Sequence, residues 1–108
     1  MTEWNGVIPL DDLPDGRQVK VAGPSEDLLL LRAGDVVYSV ANRCTHQGAP
    51  LHRGVVRLSG SMHTVTCPAH GSVFSLDDGS VRRGPATVGL RAYDARVSGE
   101  IVEVRSQI

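Results

Sequence analysis

The stretch Cys44-Thr45-His46-Gln47-Gly48-Ala49-Pro50-Leu51, read with Cys67-Pro68-Ala69-His70-Gly71, decides how the 108-residue chain folds. Both cysteines of the chain lie here, each with a histidine two or three residues downstream. A Cys-x-His followed, after twenty intervening residues, by a Cys-x-x-His supplies two soft sulfur donors and two imidazoles, the donor set of a metal centre. Two chemistries use such a set. A tetrahedral Cys₂His₂ zinc ion would tie two loops together. A [2Fe–2S] cluster would take both thiolates on one iron and both imidazoles on the other. The order of donors favours the cluster, because each stretch offers one Cys and one His and two loops then grip a two-metal unit from either side. Gly48 and Gly71 follow the donors where the backbone must turn tightly and aim N–H groups at bridging sulfides.

Outward from these loops the chain reads as short strands. Leu28 to Leu31 is an apolar run closed by Arg32-Ala33-Gly34-Asp35 and followed by Val36 to Ala41, the pattern of a β-hairpin across a Gly-Asp turn. Val19 and Val21 alternate with Lys20 and Ala22 at the two-residue period of a half-buried strand. Trp4 to Pro9 reads as a first strand, and Leu10 to Gly16 as turn-rich. Beyond Cys67, Val73 to Leu76 and Ser80-Val81 flank the tight turn Asp77-Asp78-Gly79. Leu90 to Val97 and Ile101 to Val104 close the chain across Ser98-Gly99-Glu100. No 3.6-residue apolar stripe persists long enough for a long helix. Many short strands with Gly-rich turns imply an antiparallel sandwich or barrel.

Length fits one domain, spanning 1–108. With one Trp, one Phe and two Tyr, the core must rest on valine and leucine. The net charge of −1 gives no pull toward nucleic acid or membrane. The charge is unevenly placed, however. From Val36 to Leu76 there is no Asp or Glu, while Arg43, Arg53, Arg57 and all four histidines fall in that span. The metal-bearing middle is locally basic. No apolar run follows Met1 and no segment approaches the ~20 apolar residues of a membrane span, so a soluble, cytoplasmic protein is expected.

Cys44-x-His46 with Gly48 and Leu51, then Cys67-Pro68-x-His70-Gly71, resembles the two ligand loops of the Rieske iron–sulfur family. The likeness extends through Phe74, the Asp77-Asp78-Gly79 turn and Gly84-Pro85, the place of that family's third, proline-bearing loop. The resemblance implies an all-β fold, an antiparallel β-sandwich of three small sheets. The cluster-binding loops stand at one tip, within a cluster-binding subdomain of approximately 43–86. It implies one Rieske-type [2Fe–2S] cluster whose iron ligands are Cys44, His46, Cys67 and His70. Gly48, Leu51, Gly71, Ser72 and Pro85 would surround it, with Leu51 and Pro85 as covers.

Within that family the high-potential branch adds a disulfide between the ligand loops; here Ala49 and Ala69 occupy the matching positions. That branch also aims a Ser and a Tyr hydroxyl at the cluster sulfurs. Ser72 matches the first, but Phe74 stands in place of the Tyr. A lost hydrogen bond to sulfur lowers the potential. The lower part of the Rieske range, ~−150 to +300 mV, is therefore expected. Exposed histidine ligands would also make that potential fall at alkaline pH. The segment Gln47 to Thr66 is a few residues longer than in many small members of that family, with the extra length in Val55 to His63, which reads as an extended hairpin.

A cluster ligated by four side chains leaves no open position for substrate, and the middle region holds no carboxylate for a two-His-one-carboxylate iron site. The chain is expected to carry single electrons and to catalyse no bond chemistry, so it has no catalytic residues. By resemblance it is a Rieske-type ferredoxin of a ring-hydroxylating system of aromatic hydrocarbon catabolism. It would accept electrons from a flavin-dependent NAD(P)H reductase and pass them to a terminal non-haem iron oxygenase, as a monomer. Docking would be transient, through the basic tip and the exposed His46 and His70. The Rieske-like small subunit of assimilatory nitrite reductase and a structural zinc module are the alternatives. Outside the motif, His52 reads as solvent-facing, His63 as a surface or cross-strand residue and Arg82-Arg83 as a solvated turn. Trp4 and Phe74 read as core.

Overall fold

Four consecutive leucines, Leu28 to Leu31, show why the molecule has two cores. A computed structural model describes residues 3–107. In it the leucines lie on strand β3 (Asp27–Ala33), whose side chains alternate between faces. Leu29 and Leu31 join one apolar cluster, while Leu28 and Leu30 join another, and all four are at most 1% exposed. A strand buried on both faces reads as a continuous apolar run rather than an alternating one.

Strand β3 pairs with β2 (Gln18–Ala22) and, across the expected turn, with β4 (Val36–Ala41). Strands β1 (Asn5–Pro9), β9 (Ala92–Ser98) and β10 (Ile101–Ser106) complete a six-stranded antiparallel sheet in the order β1-β10-β9-β4-β3-β2. Its edge strands β1 and β2 approach one another, so the sheet curls around Leu13, Val21, Leu28, Leu30, Tyr93, Val102 and Val104. A second sheet, inserted between β4 and β9 in the chain, contains β5 (Val55–Ser59), β6 (Met62–Thr66), β7 (Val73–Ser75) and β8 (Val81–Arg83) in sequential order. Between the two sheets lies the other core, which includes Leu29, Leu31, Val40, Val65, Phe74 and both cysteines.

The three small sheets expected take a particular form. Strands β4 and β9 pair only at Ser39↔Tyr93 and Val40↔Ala92, and this short seam fuses β4-β3-β2 with β9-β10-β1. By hydrogen bonding there are thus two sheets, because sheet edges leave unpaired backbone groups that pair wherever they meet. The long hairpin of the insertion is β5–β6, turning at Gly60.

Two expectations fail. Arg82 and Arg83, read as a solvated turn, are exposed residues of strand β8, where their backbone can pair with β7 while their side chains stay in water. Trp4 is half-exposed, outside either core. Two guanidinium groups lie over its ring, Arg96 at 4.1 Å and Arg105 at 4.4 Å. Cation–π contact with a wet surface ladder outcompetes burial here, since the β1–β10 edge offers the ring arginines rather than an apolar socket. Phe74 is fully buried, as expected. Among the described residues no helix is long and apolar enough to cross a membrane.

Candidate metal centre

Each ligand loop is closed by the same pair of backbone hydrogen bonds. In the first, Cys44 N–H donates to Ala49 O at 2.9 Å and Gly48 N–H donates to Cys44 O at 2.8 Å. In the second, Cys67 N–H donates to Ser72 O at 2.7 Å and Gly71 N–H to Cys67 O at 3.2 Å. Four residues separate the ends of each loop, and the fourth must adopt positive φ to bring the chain back. Gly48 (φ +78°) and Gly71 (φ +77°) do so. The two loops are therefore copies in backbone, differing in whether the histidine stands second or third after the cysteine.

This geometry sorts the four donors into pairs. Cys44 and Cys67 are 2% and 3% exposed, sit together in the core between the sheets and form no disulfide. His46 and His70 are exposed, with ring centroids 5.1 Å apart in an edge-to-face arrangement. A zinc ion draws all four donors onto itself, whereas each iron of a two-iron cluster draws two. A buried thiol pair beneath an exposed imidazole pair suits the binuclear group. Burial pushes the Cys44 thiol above its ordinary range and the adjacent Cys67 thiol adds to this, while the backbone N–H groups of His46 and Gln47 pull against it.

A third loop backs both ligand loops. Thr45 Oγ1 donates to Val88 O, and Ala86 N–H donates to Ser72 Oγ at 2.9 Å. Since the Ser72 hydroxyl oxygen accepts from Ala86, its own hydrogen is left for another acceptor, and Ser72 is wholly buried. Leu51 is also wholly buried, whereas Pro85, which follows a cis peptide bond after Gly84, is exposed. Arg43 is exposed and lies across Gly48; a Cβ there would stand 3.1 Å from its guanidinium. Arg43, Thr45, His46, Val88 and Arg91 line a cavity of about 430 Å³ beside the first loop.

Of the remaining histidines, one meets the sequence reading and the other departs from it. His63 is the cross-strand residue expected, on β6, with its Nδ1 hydrogen-bonded to Tyr38 OH of β4, so the pair ties the two sheets together. His52 is not simply solvent-facing. It is half-buried and bonded twice to Asn42. Asn42 carried no sequence signal, because one asparagine at a strand end looks like any turn residue.

The sequence profile described as a Rieske-like [2Fe-2S] domain matches residues 3–105. The ferredoxin subunit of 3-phenylpropionate/cinnamic acid dioxygenase from Escherichia coli K12 is 31% identical over 91 residues, which cover 84% of this chain and 82% of that protein. Human apoptosis-inducing factor 3 is 29% identical over 100 residues, but the chain spans only 16% of that protein's length. Among solved structures, the ferredoxin of carbazole 1,9a-dioxygenase from Nocardioides aromaticivorans IC177 superposes with a TM-score of 0.87 at 28% identity, covering 98% of this chain and all of that one. A putative NADH-dependent nitrite reductase small subunit from Mycobacterium tuberculosis superposes with a TM-score of 0.83 at 31% identity, covering 100% of this chain and 97% of that one.

Proposed function

Because the chain belongs to the family of Rieske-like [2Fe-2S] domains, we propose that it is a one-electron carrier whose cluster is held by Cys44, His46, Cys67 and His70. The observation that carries this reading is the sorting of donors, two buried thiols beneath two exposed imidazoles on loops of one backbone geometry. The cluster, when bound, supplies a reversible one-electron couple and no open coordination position. The chain's own residues do the rest. Cys44 and Cys67 anchor the buried side, and the N–H groups of His46 and Gln47 stabilise charge on Cys44 sulfur. His46 and His70 form the exposed edge through which electrons leave. Leu51, wholly buried, excludes water from beneath the first loop, and Pro85 covers the outside.

The domain would be single, with residues 43–86 as its cluster-binding lobe, and would act in the cytoplasm as a monomer without catalysing bond chemistry. The electron donor would be a flavoprotein NAD(P)H reductase and the acceptor a terminal ring-hydroxylating oxygenase. Support comes from the E. coli and Nocardioides ferredoxins, each similar to this chain over most of both lengths. The likeness to a nitrite reductase small subunit supports a second reading, in which the same carrier serves nitrite reduction. Arg43 marks the docking side. It is exposed beside His46 and, like the exposed Arg53 and Arg57 of the same basic stretch, has no ion-pair partner among the described residues. An acidic patch on the partner would meet it.

The purified protein should be brown-red, and Cys67→Ser should lose the visible spectrum; retention of colour would refute ligation by Cys67. Reconstituted NAD(P)H-dependent turnover, with an oxygenase in one arm and nitrite reductase in the other, separates the two systems.

A further inference from the structure

The first ligand loop lacks the support that the second enjoys. The second springs from a strand ladder, since Thr66 of β6 pairs with Val73 of β7 on either side of it. The first runs from the end of β4 to a 3-10 turn at Leu51–Arg53, and its arms share only an isolated bridge, Arg43↔Pro50. Below that bridge the Leu51 N–H reaches Asn42 O at 3.4 Å, a long contact.

Side chains take the place of the missing rung. Asn42, 7% exposed, accepts the backbone N–H of His52 on Oδ1 at 2.7 Å, and its Nδ2 lies 2.9 Å from His52 Nδ1. A backbone N–H can only donate, so it fixes which end of the Asn42 amide carries the oxygen. The NH₂ end then faces the ring, and Nδ1 must accept. His52 consequently carries its hydrogen on Nε2. On its other side the Asn42 main-chain N–H donates to Asp27 O at 3.0 Å, which ties the pair to β3.

We propose that Asn42 and His52 form the positioning pair of the first ligand loop, fixing where Cys44 and His46 stand. This rests on the reading of those two residues as ligands. Neither member of the pair touches the cluster, and both act through the arms of the loop.

Three variants of the holoprotein test the pairing: His52→Leu removes the acceptor, His52→Asn restores an acceptor oxygen near the place of Nδ1, and Asn42→Ala removes both bonds. The readouts are the rate at which a strong iron chelator bleaches the visible spectrum, the g-values of the reduced protein, and hydrogen exchange across residues 42–52. His52→Leu should bleach about five- to tenfold faster, the loss expected from one partly buried hydrogen bond. It should also shift the g-values and exchange faster at the Leu51 and His52 amides. Asn42→Ala should match or exceed it, and His52→Asn should stay within about twofold of the parent. The proposal is overturned if His52→Leu behaves as the parent does, or if His52→Asn is as impaired as His52→Leu, which would make the effect one of packing. If Asn42→Ala does not fold, the two substitutions at half-buried His52 still decide the matter. If the parent protein holds no cluster, the ligand reading falls, and the exchange comparison alone decides whether the pair fixes the loop.

Discussion

Phe74 is wholly buried in the core that also holds Cys44 and Cys67, facing Val65 on β6 and Val81 on β8. A hydroxyl added to that ring has no water to meet, so it must find an acceptor inside, and the sulfur side of the core offers one. Phe74→Tyr should therefore raise the reduction potential. One hydrogen bond of about 1 kcal/mol to the electron-rich state corresponds to a rise on the order of 40 mV for a one-electron couple. A redox titration that finds the potential unchanged or lower would remove the hydrogen-bond argument. At this scale the four residues proposed as donors stand out in the sequence because cysteine and histidine at such spacing have few other uses. Asn42 and His52 do not, since their meaning lies in a contact between two arms that no local pattern encodes. Trp4 misled for a related reason. Aromatic rings go to the core by default, and only the position of Arg96 and Arg105 on neighbouring strands turns this one outward.

At the scale of elements, the β4–β9 seam is only two residue pairs long, and a side-chain clamp reinforces it. Glu26, in the turn between β2 and β3, accepts hydrogen bonds from the guanidinium of Arg91, just before β9, and from the hydroxyl of Tyr93 on β9. Those bonds, chiefly the two from Arg91, hold the Glu26 carboxyl below its ordinary value of 4.5, against the opposing pull of burial. A carboxyl lowered in the folded state adds stability that is present above the unfolded value and is lost as pH falls through the folded one. Glu26→Gln should thus lower the stability by about 1 kcal/mol at neutral pH, a modest figure because Arg91 is largely exposed. Thermal melts of the two proteins should converge as the pH is taken well below 4.5. A gap that stays constant from neutral to strongly acidic pH would show that the ion pair is not what Glu26 contributes. The hairpins β3–β4, β5–β6 and β9–β10 could be read directly, because turn glycines and two-residue periods are local signals. The seam could not. It joins strands separated by the whole β5–β8 insertion, and its partners are chosen by where two sheet edges meet.

At the scale of the molecule, the sign of the charge beside the exposed histidines governs which small oxidants approach fastest. Oxidation of the reduced protein by ferricyanide, an anion, should slow as ionic strength rises. Arg43→Glu should slow it about three- to tenfold at low salt while speeding oxidation by the hexaamminecobalt(III) cation. A change in driving force would move both probes the same way, so opposite shifts identify the field of Arg43; parallel shifts would dismiss it as a docking charge. The pairing of β1 with β10 has a consequence of another kind. Asn5 lies opposite Val104, so the polypeptide enters and leaves this fold side by side, on strands that contribute nothing to either ligand loop. Such a unit works like a plug-in cartridge. It can be spliced between two segments of a longer chain without prying the host apart.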